Sequence, residues 1–147
     1  MTQPDRSIAH GKPRPQAAAC RDDKRQCLMV IDDDSAIRAT LQAALEKQYS
    51  VVGLSNGDEA LELIESYNPR LLILDINIPG SDGFEISKKV RSKAKLNNLP
   101  ILFMTVRKDD RSFLSSLDSG GDSFITKPFK ISELREKIEY LLRSYQS

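Results

Sequence analysis

Four apolar runs in this sequence each end on polar groups that could do chemistry together. "CLMVI" (27–31) runs into Asp32, Asp33 and Asp34, and "LLIL" (71–74) runs into Asp75, with Asn77 two residues on. "ILFM" (101–104) ends in Thr105, and "SFIT" (123–126) ends in Lys127-Pro128. Carboxylates brought close together repel and raise each other's pKa unless a cation lies among them. Hard oxygen donors with open positions suit Mg²⁺, which keeps some of its water and favours phosphate. A lysine and a hydroxyl alongside could hold phosphoryl oxygens. An aspartate between metal and lysine could be the nucleophile of an acyl-phosphate reaction. The residue types therefore point to a metal-assisted phosphoryl-transfer site centred on one Asp.

Such a site exists only if the four runs are neighbouring strands that end on the same edge. Each run is short and continuously apolar, as in strands buried on both faces. A fifth, "SVVGLS" (50–55), follows the first. Between them apolar residues recur at helical spacing: Ile37, Leu41, Ala44 and Leu45; Ala60, Leu63, Ile64 and Tyr67; Phe113, Leu114 and Leu117; Ile131, Leu134, Ile138, Leu141 and Leu142. "GFEISKKV" (83–90) reads as a further short helix. Asp34 or Ser35 is placed to cap the first helix. Pro100 stands at a strand start, where a missing N–H does least harm. Strict alternation of strand and helix implies a doubly wound, flavodoxin-like α/β fold: five parallel strands with five helices on both faces. Sites in such sheets lie beyond the carboxyl ends of the strands, which is where the polar groups fall.

Taken singly, each signal has a bland alternative. Asp34 reads better as a helix cap than as a ligand, Lys-Pro is a common surface turn, and a Thr ending a strand is usually a satisfied hydroxyl. Their joint occurrence, each at a different strand end, is what carries weight.

Composition narrows the field. The chain of 147 residues is 39% hydrophobic and carries a net charge of +1, enough for one core and too balanced for a nucleic-acid or anionic-membrane footprint. No apolar run approaches the roughly 18 residues of a membrane span, and the N-terminus lacks the apolar centre of a signal peptide. The cytosol is the simplest compartment. Residues 1–26, rich in Pro, charge and small side chains, carry six basic against three acidic residues and read as a disordered, solvated arm; residues 27–147 form the domain. Cys20 and Cys27, with His10 the only histidine, are too few for a zinc site and read as free thiols. No Gly-rich phosphate cradle supports nucleotide binding.

The motifs "VIDDD" (30–34), "LLILDINIPGSDGFE" (71–85), "ILFMTV" (101–106) and "GGDSFITKPF" (120–129) together resemble the receiver domain of bacterial two-component response regulators, and the resemblance spans 27–147. It implies that Asp75 is the phosphoacceptor and that Mg²⁺ is held by Asp33, Asp32, Asp75 and the backbone carbonyl of Asn77. It implies further that Thr105 and Lys127 engage the phosphoryl group, that Pro128 follows a cis bond, and that Phe124 fills the aromatic switch position. A sensor histidine kinase or phosphotransfer protein would be the donor. A downstream protein, or a second copy of the chain, would contact the face made by the fourth helix, fifth strand and fifth helix, with Lys108, Asp109, Arg111, Lys130, Glu133 and Lys137 among its exposed candidates. No direct contact with nucleic acid or membrane is implied. Two departures from the family pattern stand out. Val106 follows Thr105 where a smaller residue is usual, narrowing access, and Phe124 lacks a tyrosine hydroxyl.

Two other classes compete. A phosphohydrolase with an Asp nucleophile wants a second carboxylate two residues on, and Asn77 cannot shuttle a proton. A pseudo-receiver normally lacks an acid or the lysine, and here both are present. The chain stops soon after its last helix, as a stand-alone receiver or an excised piece of a longer regulator would.

Overall fold

The computed structural model describes residues 25–78, 81–93, 96, 98–106 and 122–146. In chain order the elements are β1 (Gln26–Ile31), α1 (Ser35–Leu45), β2 (Tyr49–Leu54), α2 (Ala60–Tyr67), β3 (Leu71–Asp75), β4 (Asn77–Ile78), β5 (Ser81–Asp82), α3 (Gly83–Arg91), β6 (Ile101–Thr105), β7 (Ser123–Thr126) and α4 (Ile131–Gln146). Five strands form one parallel sheet in the order β2-β1-β3-β6-β7. The strand order reverses between β1 and β3, which opens a crevice at their carboxyl ends. The helix expected around Phe113, Leu114 and Leu117 lies outside the described residues, as do Lys108, Asp109, Arg111 and the segment 1–24.

The continuous apolarity of the strands resolves by parity. Cys27, Met29, Ile31, Leu72, Leu74, Ile101 and Phe103 face α2 and α3, where Leu63, Ile64, Ile86 and Val90 complete one core. Leu28, Val30, Leu71, Ile73, Leu102 and Met104 face α1 and α4, where Leu41, Leu45, Leu134, Ile138, Leu141 and Leu142 complete the other. Successive strand side chains point to opposite faces, so a strand buried on both sides must be apolar at every position. Each fully buried aliphatic side chain contributes about 1.5–3 kcal/mol, and the central strands supply an unbroken series of them.

Local signals set the helix ends. Asp34, in extended conformation, accepts from the Ala36 N–H and caps α1, so of the two residues that could cap it, Asp34 does. Asn68 ends α2 in the left-handed region (φ 52°) and donates its N–H to Ile64, a conformation Asn tolerates better than most residues. At the amino end of the sheet, the Asp122 carboxylate takes Arg91 Nη2 (2.7 Å) and the Ile101 N–H (2.8 Å). Arg91 Nη1 reaches the Leu99 carbonyl at 2.6 Å, and the Tyr145 hydroxyl donates to Asp122. Burial, then the hydrogen bond and charge of Asp122, push the Tyr145 hydroxyl up to about 12, against the opposing Arg91 charge. This network ties α3, β6, β7 and α4 together at the end away from the acidic groups.

One expectation is corrected. Cys27 is disulfide-bonded, not a free thiol; the chain's other cysteine, Cys20, lies outside the described residues. The free-thiol reading therefore lends no support to a reducing compartment. Among the described residues no helix is long and apolar enough to cross a membrane.

After β3 the chain makes a small antiparallel hairpin not foreseen in the sequence, pairing Asn77 with Asp82 and Ile78 with Ser81. It brings Gly83 back onto the end of β3, where its N–H donates to Ile76 (3.1 Å). A Cβ on Gly83 would stand 2.5 Å from the Asp75 carbonyl oxygen and 2.9 Å from Ile76 Cα. Both neighbours are backbone and cannot rotate away. Gly83→Ala is therefore expected to cost about 1–3 kcal/mol, as overpacking does, read as a lowered urea midpoint. A midpoint equal to wild type would show that the hairpin yields without strain.

Candidate functional site

The register of the sheet assembles the acidic groups. Ile31 pairs with Leu74 across β1 and β3, and Asp75 pairs with Met104 across β3 and β6. Asp32 therefore leaves β1 beside the end of β3, where Asp75 stands. Oxygens of Asp32, Asp33 and Asp75 all lie within 4.8 Å of one another. Asp32 and Asp75 are buried, whereas Asp33 is exposed and opens the cluster to solvent.

The buried pair is held by Lys127. Its Nζ lies 2.8 Å from Asp32 Oδ2 and 3.4 Å from Asp75 Oδ2. Burial alone would depress the ammonium pKa; the hydrogen bond to Asp32 and the charges of Asp75 and Asp32 outweigh it and raise the pKa above the ordinary lysine value. The ammonium is thus firmly charged at neutral pH. Lys127 reaches this position because β7 pairs with β6 in parallel, and its own N–H donates to the Thr105 carbonyl at 2.7 Å. The Lys127–Pro128 bond is cis.

Asp32 is further fixed by the Asp34 N–H, which donates to Oδ1 at 2.9 Å, and by Arg38 Nη1, which donates to its carbonyl at 2.7 Å. Neither Arg38 nor the close approach of Gly83 was singled out from the sequence. The Asp82-Gly83 pair carries a turn signal, but no periodicity reveals which backbone the turn will touch.

Of the other residues of interest, Thr105 ends β6 buried, and Val106 after it is 56% exposed. Asn77 lies two residues past Asp75, in the hairpin strand β4. Phe124 is half-buried against the core on the α2/α3 side, with Lys137 Nζ 5.8 Å from its ring centre. Lys137 is accordingly only half-exposed, whereas Lys130 and Glu133 are exposed. The site thus brings Asp32, Asp33, Asp75 and Lys127 together, with Thr105 at the end of the adjoining strand. Phe124 sits one strand further out.

A divalent cation fits this donor set. Three carboxylates converge, one on the solvent side, and all are the hard oxygen donors that Mg²⁺ prefers. Unneutralised, that much negative charge in a half-buried crevice would be costly, and Lys127 offsets only part of it.

Known proteins share this sequence pattern and this fold. Residues 28–139 match the response regulator receiver domain family. The chain is 36% identical over 117 residues to the transcriptional regulatory protein AfsQ1 of Streptomyces coelicolor, covering 79% of this chain and 51% of that protein. It is 38% identical over 117 residues to the response regulator MprA of Mycobacterium avium, covering 79% and 50%. The chain thus spans about half the length of these curated relatives. Among solved structures, a putative response regulator from Chloroflexus aurantiacus superposes with a TM-score of 0.78 at 31% identity, covering 82% of this chain and 99% of that one. A two-component response regulator from Clostridium difficile gives 0.76 at 32%, covering 84% and 100%. The family match over most of the chain, the relatives above 30% identity and the shared fold together show that the chain belongs to the receiver domain family of two-component response regulators.

Proposed function

We propose that this receiver accepts a phosphoryl group on Asp75 from a histidine kinase or phosphotransfer protein, and that it catalyses only its own phosphorylation and dephosphorylation. The observation that carries the reading is the Lys127 ammonium between Asp32 and Asp75, with Asp33 alongside facing solvent. An Asp75 carboxylate oxygen attacks the phosphorus of a phosphohistidine. The new O–P bond forms as the P–N bond breaks, and the imidazole leaves with the electron pair. Lys127 can exchange its contact with Asp75 for one with the incoming phosphoryl oxygens, since charge-assisted bonds to such oxygens are strong. The Thr105 hydroxyl is the second group assigned to them.

Asp32, Asp33, Asp75 and the Asn77 backbone carbonyl are the ligands assigned to Mg²⁺. Bound there, the ion supplies charge neutralisation for the phosphoryl oxygens. Asn77, being an amide, gives no acid–base group for turning over external substrates, and this favours a phosphoacceptor over a phosphohydrolase. Val106, exposed beside Thr105, narrows the approach for small donors.

Output is assigned to protein contact. Thr105 moves toward the phosphoryl group and Phe124 fills the space it leaves, so local charge biases a packed two-state element. The face changed in this way includes β7 and α4, with Lys130 and Glu133 as exposed charges, and its partner is a downstream protein or a second copy of the chain. No contact of this segment with nucleic acid is assigned.

Three outcomes test the reading. Acetyl phosphate with Mg²⁺ should add one phosphoryl group to the chain and none to Asp75→Asn, as read by intact mass; equal labelling of both would exclude Asp75. Asp33→Ala should lose Mg²⁺ binding and phosphorylation together and should melt at a higher temperature, because fewer like charges then crowd the metal-free crevice. Retained Mg²⁺ affinity in that variant would move the metal elsewhere. Beryllofluoride should shift the amide NMR signals of 124–126 and 131–137; if these stay silent while Asp33, Asp75 and Lys127 respond, the chain is a phosphate relay with no switch on this face.

A further inference from the structure

Asp32 is held at four points. Its N–H donates to the Leu54 carbonyl (3.0 Å). Its two carboxylate oxygens accept from the Asp34 N–H and from Lys127, and its carbonyl accepts from Arg38 Nη1 at 2.7 Å. The first three belong to the sheet, the helix cap and the phosphoryl site. The fourth is different: a half-buried guanidinium reaches back from α1 to a neutral backbone oxygen. That oxygen is part of the planar Asp32–Asp33 peptide. Holding it constrains the plane from which Asp33, the carboxylate of the cluster that faces solvent, departs.

The seat of Arg38 is built into the sheet. Gly53 lies within β2, paired with Val30 of β1. A Cβ there would stand 3.3 Å from Arg38 Cδ, 3.7 Å from its Cβ and 3.8 Å from its Cγ. Glycine inside a strand weakens it and marks a place where another group comes close; here that group is the stem of Arg38.

We propose that Arg38, seated on Gly53, is a positioning residue for the metal: by holding the Asp32–Asp33 peptide it sets the Asp33 carboxylate for the cation. The inference rests on the Mg²⁺ assignment above. Its sign is distinctive. A guanidinium near a cation site repels the ion, so removing the charge would by itself tighten Mg²⁺ binding, whereas losing the positioning contact weakens it.

The test is a Mg²⁺ titration of the full chain without phosphodonor, followed by the amide NMR signals of residues 32–34 and 75–77. Arg38→Met keeps the apolar stem over Gly53 and loses the donor; Mg²⁺ should bind about tenfold more weakly, the scale seen when a partner of a metal ligand is removed. Arg38→Lys keeps a donor of nearly the same reach and should recover most of that loss. Gly53→Ala crowds Cδ and should weaken binding in the same direction, with Arg38 itself intact. Arg38→Met binding Mg²⁺ as tightly as wild type, or more tightly, overturns the proposal. Should that variant fail to fold, an unchanged affinity in Gly53→Ala overturns it equally. Asp33→Ala serves as the control: if it binds Mg²⁺ like wild type, the metal assignment itself falls and takes this proposal with it, whereas loss of binding there confines any failure to Arg38.

Discussion

Three carboxylates within 4.8 Å of one another are the constraint to which the rest of this molecule answers. Like charges at that distance, two of them buried, repel strongly where water cannot screen them. The fold must press them together against that repulsion. It does so by ending two adjacent central strands on them and threading one ammonium between the buried pair. Broken on one side only, such a buried pairing leaves an uncompensated charge, which costs several kcal/mol. The same arrangement makes the site responsive, because any added cation or anion shifts a balance that is already tight.

Rigidity comes from the layers on each side. Odd and even positions of β1, β3 and β6 serve two different cores, so a register slip of one residue would exchange every side chain between them. That double commitment holds the strand ends in place. The hairpin after β3 and the bare face of Gly83 then let the chain turn back within van der Waals reach of Asp75.

Stability and responsiveness occupy opposite ends of the sheet. At the amino end, Asp122, Arg91 and Tyr145 join two helices and two strands through neutralised, mutually satisfied groups. At the carboxyl end the charge is unbalanced and one acid is solvent-exposed. Phe124 lies between core and surface, half-buried with a lysine over its ring.

The sequence alone determined the alternation of strands and helices, the parallel sheet and the acids and lysine at strand ends. These follow from local pattern: continuous apolarity in short runs, 3.6-residue periodicity between them, and polar groups where the runs stop. Asp32, Asp33, Asp75 and Lys127 were legible for that reason, and the periodicity puts Leu41, Ile64 and Ile138 on core-facing sides, where they are buried. Tertiary structure decided what depends on distance between segments far apart in the chain. The β4–β5 hairpin is two residues per strand, too short to have a period. Gly53 and Gly83 look alike as letters, yet one makes room for a side chain and the other for a backbone. Arg38 reads as an ordinary helix charge until α1 packs beside β2 and turns it toward the Asp32 carbonyl. The disulfide at Cys27 was likewise not readable, because a cysteine's bonding state leaves no mark in local pattern.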